Sequence, residues 1–343
     1  MHKLRNSNIE LLRIVAMLFI ISHHFLVHGM NIWQDSSWDN LTLLSLDSLF
    51  FIGVNVFVLI SGYYTIRFDW KKLLRLYLLA AIIGGVGYIT RIITDDASLG
   101  RSIVYNTIFS ISHTPGTWFI KTYIYLFFLS PILNSALNSF DRKQTQLVLI
   151  LLTIISVYFG WFWQDDINKD GYNLINFVWV YCIGYYLSHY FDHSKISCLI
   201  YLLISIICSI SNAVISILIE SYQAWTYNNP LIVFAAISFL LFFLSFNFSS
   251  RLVNYIASST LGVYLIHENA YLSPLLYKQQ YVLFYSSNVI YFLVSVIGVF
   301  VICSLIDLMI RELVANPLLK IAPPLLRRET KISYEYSYCY TSI

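Results

Sequence analysis

The chain has 343 residues, of which 58% are hydrophobic and only 11% charged. A soluble domain carries about 25% charged residues, so a water-soluble fold is excluded and lipid must face most of the surface. The net charge of +3 is small and the basic residues do not gather into a groove, which excludes nucleic acid as a partner.

A hydrocarbon core about 30 Å thick takes about 20 apolar residues per helix. Ten segments meet that demand: 12–28, 46–66, 73–93, 118–138, 146–163, 173–191, 197–219, 229–246, 254–272 and 283–306. The predicted fold is all-α: a polytopic membrane protein of about ten transmembrane helices. The first segment follows basic residues, as a secretory signal does, but His23 and His24 interrupt its apolar run and no small-x-small cleavage site follows. It is read as a retained helix.

That helix carries Glu10, Arg13, His23, His24 and His28. Ionisable groups are costly at the middle of a membrane helix and are candidates for function. Arg13 and His24 stand eleven residues apart, which closes three turns with about 20° to spare and separates them by about 16 Å along one stripe. His23 falls off that stripe. Glu10 is one turn before Arg13 and His28 one turn after His24. In the second helix, Gly53, Ser61 and Gly62 permit close approach of another backbone, and Asn55 needs partners at mid-membrane. The next loop is basic, with Lys71, Lys72 and Arg75. Trp118 and Lys121 open the fourth helix, and His267 and Glu268 lie in the ninth. Adjacent helical residues do not face each other, so Glu268 is not expected to orient His267.

Four cysteines, Cys182, Cys198, Cys208 and Cys303, lie in apolar runs without metal spacing, and Cys339 follows in the tail; neither a disulfide frame nor a metal site is expected. With the N-terminus in the cytoplasm, fifteen lysines and arginines fall in inner loops and five in outer ones, with Arg13 inside the first helix. The positive-inside rule therefore places both termini in the cytoplasm. Residues 1–312 form the membrane domain and 313–343 a short basic tail, too small for a catalytic module.

The run Glu10-Leu11-Leu12-Arg13 with His24 after ten intervening residues resembles the first helix of the acyltransferase-3 family of integral membrane acyltransferases. Gly53-Val54-Asn55-Val56-Phe57-Val58-Leu59-Ile60-Ser61-Gly62-Tyr63 resembles its second helix. Trp118-Phe119 leading to Pro131-Ile132-Leu133, and Leu261-Gly262-Val263-Tyr264-Leu265-Ile266-His267, resemble later segments in the same order. The resemblance implies ten helices, location in the inner (plasma) membrane, and transfer of an acyl group, commonly acetyl from acetyl-CoA, to a carbohydrate of the envelope or for export. It implies that Arg13 and His24 are essential. An Arg-x-x-Arg-like loop motif maps to Lys72-Leu73-Leu74-Arg75, where Lys replaces the first Arg and gives a point charge in place of a bidentate fork. Some members carry an extracytoplasmic esterase-like domain. Its absence from this chain implies that the protein acts alone or hands its acyl group to a separate extracytoplasmic transferase.

On this reading the donor phosphates meet Lys71, Lys72 and Arg75, with Arg13 at the mouth. His24 acts as general base on the acceptor hydroxyl, with Glu10 in support. Asn55 or Ser61 donates to the developing oxyanion. The acceptor meets Trp118, Lys121, His267 and Glu268. A covalent acyl-enzyme route stays open. No tightly bound cofactor is expected; acetyl-CoA is a substrate, and the partners are the carbohydrate acceptor and the bilayer. The alternative is a transporter or flippase for a glycan or lipid-linked intermediate, against which stands the lack of an inverted repeat.

A reporter fused after Ile343 is expected to be active in the cytoplasm, and one placed between Asn31 and Asn40 to be exposed outside. An external C-terminus would show that the helix count is wrong by one, around His267.

Overall fold

Polar residues punctuate the apolar runs, and the helices begin where those residues cap them. Asp141 and Gln144 form a capping box, each side chain bonded to the other's backbone N–H at 2.8 and 2.9 Å. Asn173 and Asn229 cap two further helices, the second with Pro230 in its first turn. The computed structural model describes residues 7–34, 37–94, 101–109, 111, 116–219, 222–277 and 289–315, and no strand occurs among them.

The main helices in chain order are α1 (Asn8–His24), α2 (Leu41–Phe51), α3 (Gly53–Tyr64), α4 (Trp70–Thr94), α5 (Arg101–Ile108), α6 (Trp118–Ser139) and α7 (Arg142–Thr153). There follow α8 (Leu174–Tyr190), α9 (Cys198–Ile219), α10 (Pro230–Leu244), α11 (Arg251–Ala257), α12 (Thr260–His267) and α13 (Val289–Ile310). Wider π-type turns extend α1 over Phe25–Gly29, α7 over Ile154–Phe162 and α13 over Arg311–Ala315. The protein is an all-α, polytopic membrane protein. Eight stretches among the described residues are long and apolar enough to cross a membrane. They are Asn8–Gly29, Trp38–Tyr64, Trp70–Thr94, Trp118–Ser139, Arg142–Phe162, Cys198–Ile219, Tyr222–Leu244 and Val289–Leu313.

Two expected segments differ. The sixth is α8, with 17 residues, about 25 Å at 1.5 Å per residue. The ninth is broken into α11 and α12 by a turn at Ser258 and Ser259, and α12 ends at His267, where the chain turns through Glu268 and Asn269. Residues 283–288 of the tenth, and 316–343 of the tail, lie outside the described residues. Exposed faces of α9 (Leu199, Leu203, Ile207) and α13 (Val294, Ile297, Leu305) are wholly apolar, as contact with lipid requires.

By internal packing the chain forms two units. The α3 unit holds residues 11–68 and 122–248, and the α13 unit holds 1–10, 69–121 and 249–343. In the α3 unit, α3 is held between α1 and α8. A side chain at Gly53 would meet Ala16 O and Ile20 Cγ1 of α1, each at 2.8 Å. One at Gly62 would overlap the Tyr181 backbone of α8, and one at Gly184 of α8 would overlap Leu59 O and meet Tyr63 N of α3 at 2.9 Å. The two backbones touch because both positions lack Cβ. Tyr181, fully buried, then donates to Asn134 of α6 at 2.6 Å and accepts from Ile66 N at 3.0 Å. Asn134 donates to Ile66 O at 2.8 Å, so both backbone groups of Ile66, two residues beyond the end of α3, are satisfied.

Gly62→Ala is expected to destabilise the protein by about 1–3 kcal/mol or more, the cost of overpacking. Gly298, with open space around its missing Cβ, is the control. Equal thermal midpoints for Gly62→Ala and Gly298→Ala would contradict the close crossing of α3 and α8.

Candidate active site

The α1 stripe is buried: Glu10 is 2% exposed, and Arg13 and His24 are 9% exposed each. Because α1 is regular from Asn8 to His24, the spacing of Arg13 and His24 holds in the fold. His28, in the π-turn beyond, is exposed, and its ring lies 5.3 Å from that of His24.

Within the same unit, Arg13 lies in electrostatic range of Tyr123 on α6. The Tyr123 hydroxyl is 3.0 Å from Ser61 Oγ, and Ser61 donates its own proton to Phe57 O at 2.8 Å. With that proton committed, Tyr123 donates to Ser61. Ser61 therefore serves Tyr123 as an acceptor, which differs from the oxyanion donor expected of it. Asn55 is fully buried and gives one amide proton to Tyr227 O at 2.8 Å. Its Oδ1 accepts no hydrogen bond from the described residues. Asn55 and Ser61 are six residues apart and point about 120° apart around α3, so the structure does not bring them to one point.

A group that the sequence reading passed over sits beside this stripe. Asp47, in the middle of α2, is fully buried. His23 Nδ1 lies 2.8 Å from Asp47 Oδ1, and Trp33 Nε1 donates to Asp47 Oδ2 at 2.8 Å. The Trp33 ring stacks on Trp225 at 5.1 Å, and Phe51 packs edge-on to His23 at 5.1 Å. His23 is thus no bystander off the stripe; it holds a carboxylate that has no other side-chain hydrogen-bond partner among the described residues than Trp33. An Asp inside the apolar run 46–66 was the available signal, since intramembrane carboxylates need partners.

In the α13 unit, Asp69 opens α4 by accepting from Lys71 N at 2.8 Å. Lys71, Lys72 and Arg75 then share the first turns of one helix face, next to the helix N-terminus, a setting suited to an anion. Trp118, Lys121, His267 and Glu268 belong to two segments that the fold brings together. Gly116, at φ +88°, has no Cβ where Glu268 O sits. Tyr264 donates to Gly116 O at 3.1 Å and its ring lies 5.2 Å from Phe119. His267 is fully buried, and its Nδ1 is 2.6 Å from Val263 O. A carbonyl can only accept, so Nδ1 carries the proton and Nε2 the lone pair when the ring is neutral. The backbone orients His267, as the i,i+4 geometry of α12 allows, and Glu268 does not. At the other end of α12, Arg311 Nη2 bonds Asp307 Oδ2 at 2.6 Å and Ser259 Oγ at 2.7 Å. The Asp307 carboxylate fills the space left by Gly262.

A family model described as an acyltransferase domain matches residues 6–308, nearly the whole chain. The chain belongs to the acyltransferase-3 family. No curated protein and no solved structure matches at a significant level. As an acyltransferase-3 protein the chain is a membrane acyltransferase, and the match takes in all four motif segments from Glu10 to His267.

Proposed function

We propose that this membrane acyltransferase moves an acetyl group from acetyl-CoA to a hydroxyl of a cell-surface or exported polysaccharide, in the inner (plasma) membrane. The observation that supports this most is the buried pair Arg13 and His24, three turns apart on one stripe of α1. An arginine and an imidazole are expensive inside a membrane helix unless they do work there. His24 takes the proton of the acceptor hydroxyl, the oxygen attacks the thioester carbon, the new C–O bond forms and the C–S bond breaks. Arg13, with Tyr123 in its range, holds the donor end of the reaction. Lys71, Lys72 and Arg75 hold the anionic part of CoA, Lys as a point charge and Arg as a fork. Trp118 offers a stacking face for a sugar ring, and Lys121, His267 and Glu268 offer hydrogen bonds. Asn55 keeps one amide proton for the oxyanion. The acceptor is used directly or through a separate extracytoplasmic transferase.

One assay tests both halves of this reading. With purified protein in vesicles and labelled acetyl-CoA, His24→Ala is expected to lose a factor of about 10²–10⁴ in transfer, the usual worth of a general base. The double variant Lys72→Ala, Arg75→Ala is expected to raise KM for acetyl-CoA with kcat changed less, because neither residue touches the reacting carbon. Full activity of His24→Ala would remove the base from α1, and an unchanged KM would remove the donor site from α4.

A further inference from the structure

Two adjacent imidazoles end α1, and the first of them, His23, is bonded to a buried carboxylate. His23 Nδ1 is 2.8 Å from Asp47 Oδ1. The other Asp47 oxygen is held by Trp33 at 2.8 Å. An ionised Asp47 accepts at both oxygens, and the proton between it and His23 then sits on Nδ1. That fixes the tautomer: the lone pair of neutral His23 is on Nε2, the arrangement by which a carboxylate orients an imidazole for proton transfer. No described residue hydrogen-bonds His23 Nε2. The His23 ring centroid is 5.4 Å from that of His24, a separation that one bridging water can span. Trp33 and Phe51 pack against the His23 ring and Trp225 packs behind both, with Trp225 and Phe51 3% and 2% exposed. A cover of this kind keeps bulk water from a thioester.

We propose that His23, oriented by Asp47, is a second proton-transfer residue that carries the proton from His24 to the departing CoA sulfur. The inference rests on the acyl transfer proposed above. The acceptor hydroxyl gives its proton to His24, and the His24 imidazolium passes one to His23 Nε2. The acceptor oxygen bonds to the acyl carbon as the C–S bond breaks. His23 gives its Nε2 proton to the thiolate, so both rings end neutral and the net change is ester plus CoA thiol. Asp47 keeps its charge throughout and is a positioning residue. An unneutralised imidazolium would be costly in this setting, and beside Asp47 the pair has no net charge when His23 carries the extra proton.

The test uses full-length protein in vesicles, acetyl-CoA as donor and glycan extracted from cells lacking the protein, with CoA release and acetyl transfer both read. His23→Gln keeps an amide donor for Asp47 but cannot shuttle a proton. Asp47→Asn keeps the shape of the side chain and offers an N–H to Nδ1, which moves the ring proton to Nε2 and blocks uptake. Each is expected to lower kcat by about 100-fold, with KM for acetyl-CoA unchanged. The readout that a structural role would not move is the solvent deuterium isotope effect on kcat, which in His23→Gln is expected to rise above that of wild type because unassisted protonation of the thiolate then limits turnover. A folded variant with kcat within about threefold of wild type would overturn the proposal. So would a loss of the same size with the wild-type isotope effect kept, which is what a structural role predicts. If His23→Gln does not fold, Asp47→Asn decides by the same readings. Wild-type protein that transfers no acetyl group would overturn the acyl-transfer reading itself, whereas normal wild-type transfer with an active His23→Gln overturns the relay alone.

Discussion

Helix α3 carries no side chain at Gly53 or Gly62, and so α1 and α8 can close onto its backbone. Lipid offers no hydrophobic drive for helices to associate, which leaves close packing and interhelical hydrogen bonds to hold them. The crossing of Gly62 and Gly184 supplies the first, and the bonds of Tyr181 with Asn134 and Ile66 supply the second. The polar contacts of α3 itself follow that register. Ser61 reaches Tyr123 because it sits one residue before the crossing, and Asn55 reaches Tyr227 O because it sits two residues after the contact with α1.

The buried charges follow the same economy of partners. Asp47 has His23 and Trp33 on its two oxygens, and Asp307 has Arg311 in the turn that follows its own helix. Breaking such a buried pair by removing one member costs about 3–5 kcal/mol, so each is a fixed point of its unit. At Asp307 the result is structural: it meets Gly262 and, through Arg311 and Ser259, pins the start of α12, whose other end presents His267. At Asp47 the fixed partner is an imidazole that can move a proton, and for that reason the two carboxylates are assigned different work.

Much of this was legible in the residues. Apolar run lengths gave the long helices, the eleven-residue spacing gave the Arg13 and His24 stripe, and the small residues of α3 marked its close approach. The ninth segment misled because its apolar length, 254–272, hides a break at Ser258 and Ser259 that depends on Arg311, more than fifty residues away. His23 was set aside because helical periodicity compares residues only within one helix. Its partner Asp47 is 24 residues on and in another helix, a pairing that no local pattern encodes. The orientation of His267 was half legible: adjacency ruled Glu268 out, but the acceptor one turn back is a backbone carbonyl, which has no letter in the sequence.

The proposed reaction is acylation of a glycan. The most direct measurement is mass analysis of the surface glycan from cells with and without this protein. Acyl transfer predicts the same glycan in both, lacking an acetyl mass where the protein is absent. A glycan that vanished altogether would point to transport in place of transfer, and one with its acetyl groups intact would contradict acyl transfer by this protein.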